Sequence, residues 1–179
     1  MFVVSLRTSG GPPVIIGPEV SVNDRLRWFV GTLNRLVVSS AETGGAFGLM
    51  EQWAPAGFSP PLHVHHREDS ALYVIDGELL VQRGDAQLNA GPGDCVFLPR
   101  DEPHTFLVTS EGAHFLELVT PGGFEQFHVD ASDIASSANL PTPAPPDVPR
   151  LVAAIGPFDA EIVGPPMASP AAPTAPPPG

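Results

Sequence analysis

Short apolar runs, separated by glycine and proline, make up most of the chain between Val14 and Val119. Examples are RLRWFVGTLNRLVV, GAFGLMEQWA, SALYVIDGELLVQRG, AQLNAGPGDCVFLP and HTFLVTSEGAHFLELVTPGG. Strand-length runs with a turn about every 8–12 residues are typical of an all-β sandwich or barrel. Only RLRWFVGTLNRL competes as a helix, and its internal glycine and β-branched flank disfavour that alternative. The pattern therefore predicts an all-β domain.

Two turns in this region are specific. Asp76-Gly77, between two apolar runs, is the usual signature of a tight hairpin. A Gly-Pro-Gly turn at 91–93 precedes GDCVFLP, which we expect to be a buried strand. The single cysteine, Cys95, lies in that strand and is predicted to be a core thiol, since a free cysteine behaves as a small hydrophobic residue.

The pattern changes after Phe124. DASDIASSANL predicts a short helix capped by Asp130 or Ser132, and a proline-rich, extended connector follows at 141–149. PRLVAAIGPF predicts a second short helix with Pro149 at its first position.

The last residues of the chain, PPMASPAAPTAPPPG, contain little that could be buried. We expect this Pro/Ala-rich tail to be disordered. The predicted organisation is therefore a β-barrel with its N-terminal strands at 1–128, a helical extension at 129–164 and a tail at 165–179.

Charge narrows the range of partners. The chain has 20 Asp and Glu against 8 Lys and Arg, a net charge of −12. This balance argues against a nucleic-acid partner and against an anionic membrane surface. No signal-peptide pattern is evident, and no run approaches the ~18 apolar residues of a membrane span. We expect a cytoplasmic protein whose partner is a small molecule.

Histidines supply the candidate chemistry. His63 and His65 are two residues apart on a predicted strand, so both imidazoles lie on one face. Neutral imidazole is the commonest nitrogen ligand for transition metals. His104 follows a later strand and a turn at Pro99. His-x-His alone is a weak signal, because solvated histidines explain it equally well.

The remaining polar residues near these histidines have simpler interpretations. His66 is expected to point outward, and Arg67, Glu68 and Asp69 to form a solvated turn. Two histidines that match no motif, His114 and His128, are expected at the surface or in packing.

The spacing of these residues resembles the cupins, small β-barrel proteins with two motifs. The first motif is Gly-x5-His-x-His-x3-4-Glu-x6-Gly, and its matches here are Gly57, His63, His65 and Gly77. The second is Gly-x5-Pro-x-Gly-x2-His-x3-Asn, and its matches are Gly93, Pro99 and His104. The resemblance implies a double-stranded β-helix, or jelly-roll barrel, followed here by short C-terminal helices.

Three positions depart from the motifs. Asp101 and Val108 replace the second motif's glycine and asparagine, which are changes of turn and packing. The third departure is Ser70, which stands where the family's glutamate, its fourth metal ligand, would fall. Strand parity places Ser70, Leu72 and Val74 on the interior face, yet serine is too short to replace a glutamate and carries no carboxylate.

Three outcomes for the metal site follow. One divalent transition metal (Fe, Ni, Cu, Mn or Zn) stays on His63, His65 and His104 with open positions. Alternatively, the register slips by one residue and Asp69 supplies the carboxylate. In the third outcome the metal is lost and the pocket binds an organic ligand only.

The barrel interior would form the substrate pocket. Eight apolar candidates for substrate binding lie on predicted strands: Phe47, Met50, Trp53, Leu72, Val74, Phe97, Phe106 and Phe115. Glu117 is a further candidate, with a catalytic role, and Ser70 is assigned to the catalytic position of the missing glutamate. No basic residue falls at an inward position, so an aromatic or polyketide-like ligand suits this interior better than a sugar phosphate.

Within the family, PPLHVHHRED, GPGDCVFLPRDEPHTF, TPGGFEQF and EIVGPP resemble single-domain proteins of the quercetin-dioxygenase-like group. This resemblance implies a metal-dependent dioxygenase-type oxidoreductase and a homodimer. Because Ser70 cannot act as the glutamate base, quercetinase activity itself is in doubt. The alternatives are an oxygen-independent, metal-assisted cyclase or isomerase, and a non-catalytic binding protein.

Overall fold

The computed structural model describes residues 25–168, which form two antiparallel sheets and three short helices. In chain order the elements are β1 (Leu26–Phe29), β2 (Thr32–Val38), α1 (Ser40–Thr43), β3 (Gly48–Pro55), β4 (Pro61–His65), β5 (Asp69–Asp76), β6 (Leu79–Arg83), β7 (Ala86–Ala90), β8 (Cys95–Leu98), β9 (His104–Val108), β10 (Gly112–Thr120), α2 (Glu125–Asp130), β11 (Asp133–Ile134), α3 (Val148–Ile155) and β12 (Ala160–Pro166). One sheet has the order β11-β1-β2-β3-β10-β5-β8 and the other β12-β4-β9-β6-β7. The predicted all-β, double-stranded β-helix fold is confirmed.

The core lies between the two sheets and follows the period of two along each strand. On β5, Ser70, Leu72 and Val74 are buried whereas Tyr73 and Ile75 are exposed, so the predicted parity is confirmed. The other members of the main cluster come from both sheets: Ala54, Leu79, Val81, Ala90, Val96, Leu98, Phe106, Val108, Ala113 and Phe115. Burial of these apolar side chains holds the sheets together.

The run RLRWFVGTLNRLVV forms the hairpin β1–β2 rather than a helix. Its two-residue turn has positive φ at both positions, 49° at Val30 and 85° at Gly31. This is the turn geometry whose twist matches that of paired strands. Glycine adopts it freely, whereas a β-branched valine is strained there.

The hairpin predicted at Asp76-Gly77 is wrong. β5 pairs with β8 and β10 in one sheet, whereas β6 pairs with β7 and β9 in the other. The turn therefore carries the chain from one sheet to the other. Gly77 has φ of 81°, and a Cβ there would lie 2.2 Å from the carbonyl oxygen of Gly112, so the position requires glycine.

Strand β8 is buried on one face only, which corrects two predictions. Val96 and Leu98 point into the core, whereas Cys95 is exposed and Phe97 is 53% exposed. Cys95 is therefore not a core thiol, and Phe97 does not line the interior. The run CVFL is apolar on both faces, so composition could not show which face is buried.

The helix predicted from DASDIASSANL is also wrong. The chain forms α2 just before it, and Asp133–Ile134 is the strand β11, paired with β1. Helix α2 has no side-chain cap, and a buried carboxylate fixes its start instead. The two oxygens of Glu125 accept hydrogen bonds from the backbone N–H of Ser40, at 2.6 Å, and of Gly123, at 2.7 Å.

The second C-terminal helix is confirmed as α3. The side chain of Asp147 caps its start by accepting a hydrogen bond from the backbone N–H of Arg150, and Pro149 occupies its second position rather than its first. Gly156 follows its end. None of the helices within residues 25–168 is long and apolar enough to cross a membrane.

Strand β12 was not predicted. It pairs with β4, and the backbone N–H of Met167 donates to Ser59 Oγ, so the first residues of the expected tail belong to the barrel. The tail beyond residue 168 and the N-terminal strands expected before residue 25 lie outside the described residues. The division of the chain at residues 128 and 164 stays a prediction.

Candidate metal centre and adjoining cavity

Two strands bring three histidines together. His63 and His65 lie on the same face of β4, and His104 opens β9 directly opposite His63. One ring nitrogen from each histidine lies within 4.8 Å of the other two. The ring centroids are 4.5 Å apart for His63 and His104 and 5.1 Å apart for the other two pairs. The spacing predicted from the motifs therefore produces one compact cluster.

Backbone carbonyls orient two of the rings. His63 Nδ1 lies 2.8 Å from the carbonyl oxygen of Pro61, and His104 Nδ1 lies 2.9 Å from that of Glu102. A carbonyl can only accept a hydrogen bond, so both Nδ1 atoms carry the proton. Each Nε2 is then left with its lone pair, the tautomer that binds a metal.

His65 supplies the clearest test of whether a metal fits. Its side chain is fully buried, and neither ring nitrogen has a hydrogen-bond partner among the described residues. A buried, unpaired imidazole nitrogen is costly unless something coordinates it. A divalent ion held by three imidazoles would take one of these two nitrogens as a ligand, so the residues fit a metal.

Burial keeps these rings neutral. Desolvation, followed by the charge of His104, lowers the pKa of His63 to about 4. Desolvation, followed by the charges of His63 and His104, lowers the pKa of His65 to about 2. The pKa of His104 is also lowered, mainly by burial. All three imidazoles are thus in the metal-binding form at neutral pH.

Ser70 lies inward, as predicted, between Leu98 on β8 and Val119 on β10. It is buried, and its Oγ has no hydrogen-bond partner among the described residues. The alternative in which Asp69 supplies a carboxylate is wrong. Asp69 forms an ion pair with Arg100 at 2.8 Å, and that contact lowers the pKa of Asp69 to about 2.

The neighbouring polar residues differ from expectation at one position. His66 points outward, as predicted, with its Nδ1 2.7 Å from Asp101 Oδ1, and this contact raises the pKa of His66. Glu68, however, is only 2% exposed and not part of a solvated turn. Burial raises its pKa, and its Oε2 has no hydrogen-bond partner among residues 25–168. Its carboxylate is not part of the three-histidine cluster.

A small cavity of about 130 Å³ opens beside His63. Its lining is mostly apolar and aromatic: Phe29, Val30, Phe58, Pro60, Pro61, Phe106, Phe124, Phe127, Leu151, Ile155 and Ile162, with Ser59, Gln52, Glu117 and His128 as the further polar members. The β1–β2 hairpin, helices α2 and α3 and strand β12 all contribute to its wall. An apolar cavity with a few polar groups beside a metal cluster is typical of a small-molecule site.

The predicted substrate-binding residues are divided between several places. Phe106 and Glu117 line the cavity. Four others are buried in the barrel but do not reach this cavity: Met50, Leu72, Val74 and Phe115. Phe47 is half-buried at the start of β3, outside the cavity lining. Their roles in substrate binding stay predictions.

Trp53 lies on the opposite face of β3 from the barrel interior. Its ring stacks on His114, with centroids 4.6 Å apart, and His114 Nε2 is 2.8 Å from Glu51 Oε1. The inward placement expected for Trp53 is therefore wrong, and His114 has the packing role predicted for it. The register of β3 explains the error, since Met50, Gln52 and Ala54 are the inward residues.

Sequence reasoning missed three polar members of the cavity wall: Ser59, Gln52 and His128. Gln52 could have been found from strand parity, because it is two residues from the buried Met50. His128 matches no motif, and only the fold of α2 places it beside the metal cluster. It is 8% exposed and packs on the ring of Phe29 at 4.6 Å.

The comparisons with known proteins agree with this geometry. Residues 49–120 match the family described as "Cupin domain". These residues include all three clustered histidines and nearly all of strands β3 to β10. The match agrees with the resemblance to cupins predicted from the two histidine motifs.

A curated relative is quercetin 2,3-dioxygenase from Bacillus subtilis (strain 168), 24% identical over 95 residues. The match covers 53% of this chain but only 28% of the relative. It agrees with the predicted resemblance to the quercetin-dioxygenase-like group.

Similar solved structures include KdgF from Halomonas sp., with a TM-score of 0.49, 19% identity and coverage of 54% of this chain and 84% of that chain. The polyketide cyclase RemF from Streptomyces resistomycificus has a TM-score of 0.48 and 24% identity, covering 59% of this chain and 80% of that chain.

Proposed function

We propose that this chain is a metal-dependent cupin enzyme that acts on a small aromatic or polyketide-like compound, most simply as a dioxygenase-type oxidoreductase. The observation that carries the proposal is the position of the three-histidine cluster. One of its members, His63, forms part of the wall of a cavity lined by aromatic side chains. The curated relative's dioxygenase activity supports the reaction type.

The metal would be held by His63, His65 and His104. Three imidazoles suit Fe, Ni, Cu, Mn or Zn and leave coordination positions open. When bound there, a divalent ion supplies a Lewis acid and, if it is redox-active, electrons for reaction with dioxygen. The protein's own contribution is to keep the three rings neutral and fixed in orientation.

The cavity would bind and orient the ring of the substrate. Phe106 packs against Phe58 and Phe115, with ring centroids 6.0 and 5.2 Å apart. This aromatic wall gives a flat apolar ligand a stacking or edge contact and excludes water from the metal side. The size of the cavity suits a single ring unless the covering segments move.

A second candidate function is an oxygen-independent, metal-assisted cyclase or isomerase. Ser70 favours it, because no carboxylate from β5 reaches the cluster to act as a base. The metal would then serve as a Lewis acid only. Dependence of turnover on dioxygen separates the two candidates.

The first experiment is metal content per chain by inductively coupled plasma mass spectrometry, on protein purified without a histidine tag. The wild type should contain close to one transition metal per chain, and His65→Ala should lose at least nine-tenths of it. His66→Ala is the matched control, since His66 is adjacent but points outward to Asp101.

Oxygen uptake with phenolic and polyketide-like compounds then follows on metal-loaded protein. Consumption of dioxygen with the substrate supports the dioxygenase. Turnover under argon supports the cyclase or isomerase. Absence of metal after exposure to Fe, Ni, Zn and Cu would contradict the proposal and leave a non-catalytic ligand-binding protein.

A further inference from the structure

Polar groups on one wall of the cavity form a connected set that the metal cluster does not use. Glu117 is the only carboxylate among the described residues that line the cavity. Gln52 Nε2 donates a hydrogen bond to Glu117 Oε2, and His128 Nε2 lies 3.7 Å from the same oxygen. The other carboxylate oxygen of Glu117 is not involved in either contact.

Behind His128 lies the amide of Asn34, which is 3.2 Å from His128 Nδ1. The Thr32 hydroxyl is 3.0 Å from the other end of that amide and donates its hydrogen to the carbonyl oxygen of Phe29 at 2.5 Å. Burial favours the neutral ring of His128, since it lowers its pKa. Gln52 therefore presents an N–H group to Glu117, and the neutral ring of His128 lies beside the same oxygen.

The Gln52 contact uses one carboxylate oxygen of Glu117, and the other oxygen can accept a hydrogen bond from a ligand. The side chain of Glu117 is 14% exposed and that of His128 10%, so the carboxyl group lies in an enclosed, largely apolar cavity. The group that would complement it is a hydrogen-bond donor on an apolar ligand. An anionic ligand group would be repelled by the carboxylate of Glu117.

We infer that Gln52, Glu117 and His128 form a subsite for the hydroxyl group of a phenol or enol, with Glu117 accepting the hydrogen bond. The inference rests on the proposed function only in taking this cavity as the substrate site. The cavity volume of about 130 Å³ admits one ring of the size of phenol. Because His63 lines the same cavity, the hydroxyl would lie between Glu117 and the metal side.

During turnover the subsite would also accept the proton of the ligand's hydroxyl group. The O–H bond of the ligand breaks, its electron pair stays on the ligand oxygen, and the proton moves to the carboxylate oxygen that Gln52 does not contact. Glu117 on β10 thus takes the place of the base that Ser70 cannot provide on the neighbouring strand β5, where Glu117 is opposite Leu72.

The test compares the binding of phenol with that of its methyl ether, anisole, by isothermal titration calorimetry on the full-length protein. The two probes have similar rings, but only phenol donates a hydrogen bond. Wild type should bind phenol about tenfold more tightly than anisole, as expected for a hydrogen bond to a charged group. In Glu117→Gln this ratio should fall below about threefold, with anisole binding unchanged.

Glu111→Gln is the matched control, because Glu111 is an exposed carboxylate one residue before β10 and outside this cavity. It should keep the wild-type ratio. Equal binding of phenol and anisole by the wild type overturns the inference without any variant. A ratio that stays near tenfold in Glu117→Gln also overturns it, since the hydroxyl would then be bound elsewhere.

Metal content, measured on the same samples, separates this inference from the proposed function. Loss of metal in Glu117→Gln would make Glu117 a metal ligand and overturn the subsite. Discrimination for phenol in a protein that never binds metal would support the subsite and contradict the enzyme. Metal-dependent oxygen uptake by a protein that binds phenol and anisole equally would support the enzyme and contradict the subsite.

Discussion

At position 70 a single buried hydroxyl faces the barrel interior from the strand that pairs with β8 and β10. Its oxygen has no hydrogen-bond partner among the described residues, although the side chain is only 1% exposed. A buried polar atom without a partner lowers the stability of the folded state. Ser70 is therefore a residue whose removal should benefit the fold.

We expect Ser70→Ala to raise the free energy of unfolding by about 1 kcal/mol, since it removes an unsatisfied hydroxyl and keeps the interior filled. Urea denaturation of the metal-free protein measures this. Ser132→Ala is the contrasting variant, because Ser132 Oγ donates to the carbonyl of Val129 at 3.0 Å, and it should lower the stability. A loss of stability in Ser70→Ala would show that the hydroxyl has a partner.

The sequence predicted the three-histidine cluster residue by residue because strand parity and a pair of motifs encode where those side chains point. It could not predict that Glu68 is buried. Glu68 follows an arginine and precedes an aspartate, a pattern typical of a solvated turn, and its burial depends on the distant segment around Gly123. The prediction that Cys95 is buried failed for a different reason. The strand is apolar on both faces, so its sequence does not show which face is buried.

The contact between helix α2 and the start of strand β3 is the most constrained contact between elements. Gly48 begins β3, and a Cβ at this position would lie 2.2 Å from Glu125 Oε2. Glu125 cannot move aside freely, because hydrogen bonds from Ser40 and Gly123 hold its two oxygens. Glycine at position 48 is therefore what allows α2 to dock on the sheet.

We expect Gly48→Ala to lower the free energy of unfolding by about 2–3 kcal/mol, the usual cost of overpacking combined with displaced hydrogen bonds. Thermal and urea unfolding would measure the change. The control is Gly91→Ala, where a Cβ meets nothing within 4 Å, and it should stay within about 0.5 kcal/mol of wild type. Equal stability of the two variants would contradict the role given to Gly48.

Helix α3 covers the cavity through Leu151 and Ile155, and Arg150 ties it to the segment after α2. The guanidinium of Arg150 donates to Asp133 Oδ1 at 2.9 Å and to the carbonyl of Ser132 at 2.6 Å. These contacts add to the packing of Leu151, Ala154 and Ile155 against the buried cluster around Phe124 and Phe127, since none of the residues of α3 is fully buried.

Arg150→Met should therefore increase the amide hydrogen exchange of residues 148–155 about tenfold, with little effect on the barrel strands. Exchange followed by mass spectrometry measures both regions at once. Val152→Ala, at a site on α3 that is 57% exposed, is the control and should leave exchange near wild type. Unchanged exchange in Arg150→Met would show that other contacts fix α3.

Among the helices and turns, the sequence predicted the elements that are marked by local signals. It failed for the elements whose structure depends on residues distant in the chain. Helix α3 has its own cap, a proline in its first turn and a terminal glycine. Helix α2 has six residues and no side-chain cap, so nothing local marks it. The turn at Asp76-Gly77 has the local chemistry of a hairpin, yet pairing with β8 and β10 assigns β5 to a different sheet from β6.

Across the whole molecule, acid should weaken the fold partly through Glu42. The Arg25 guanidinium, 2.7 Å away, and hydrogen bonds from Ser39 lower the pKa of Glu42 from 4.5 to about 2. Because the folded-state pKa is the lower one, this stabilisation is complete above pH 4.5 and is lost as the pH falls towards 2.

Glu42→Gln should be about 1 kcal/mol less stable than wild type at pH 7, a modest value for a partly exposed pair at a helix cap. The difference should shrink between the two pKa values and approach zero only below pH 2. Urea midpoints measured across this range would show it, with Glu111→Gln as an exposed control. A difference that is independent of pH would mean that packing, not charge, is lost.

The global class of the fold was predictable because alternation and turn spacing recur along the whole barrel. The layer that covers the cavity, made of the β1–β2 hairpin, α2, α3 and β12, was not predictable. Its parts are far apart in sequence and each is short. Val30 shows this well: only the paired hairpin places a strained valine at the cavity wall.

Part of the cavity wall comes from segments outside the histidine-bearing barrel, and this affects how such a protein can diversify. The three clustered histidines all lie within residues 49–120, whereas the β1–β2 hairpin, α2, α3 and β12 lie outside them. Recombination or mutation can exchange the outer segments while the chemistry below is inherited intact. The outer part of the cavity wall can thus change while the barrel side of the wall, including Gln52, Phe106 and Glu117, is kept, and a designer could graft the outer segments onto another barrel for the same purpose.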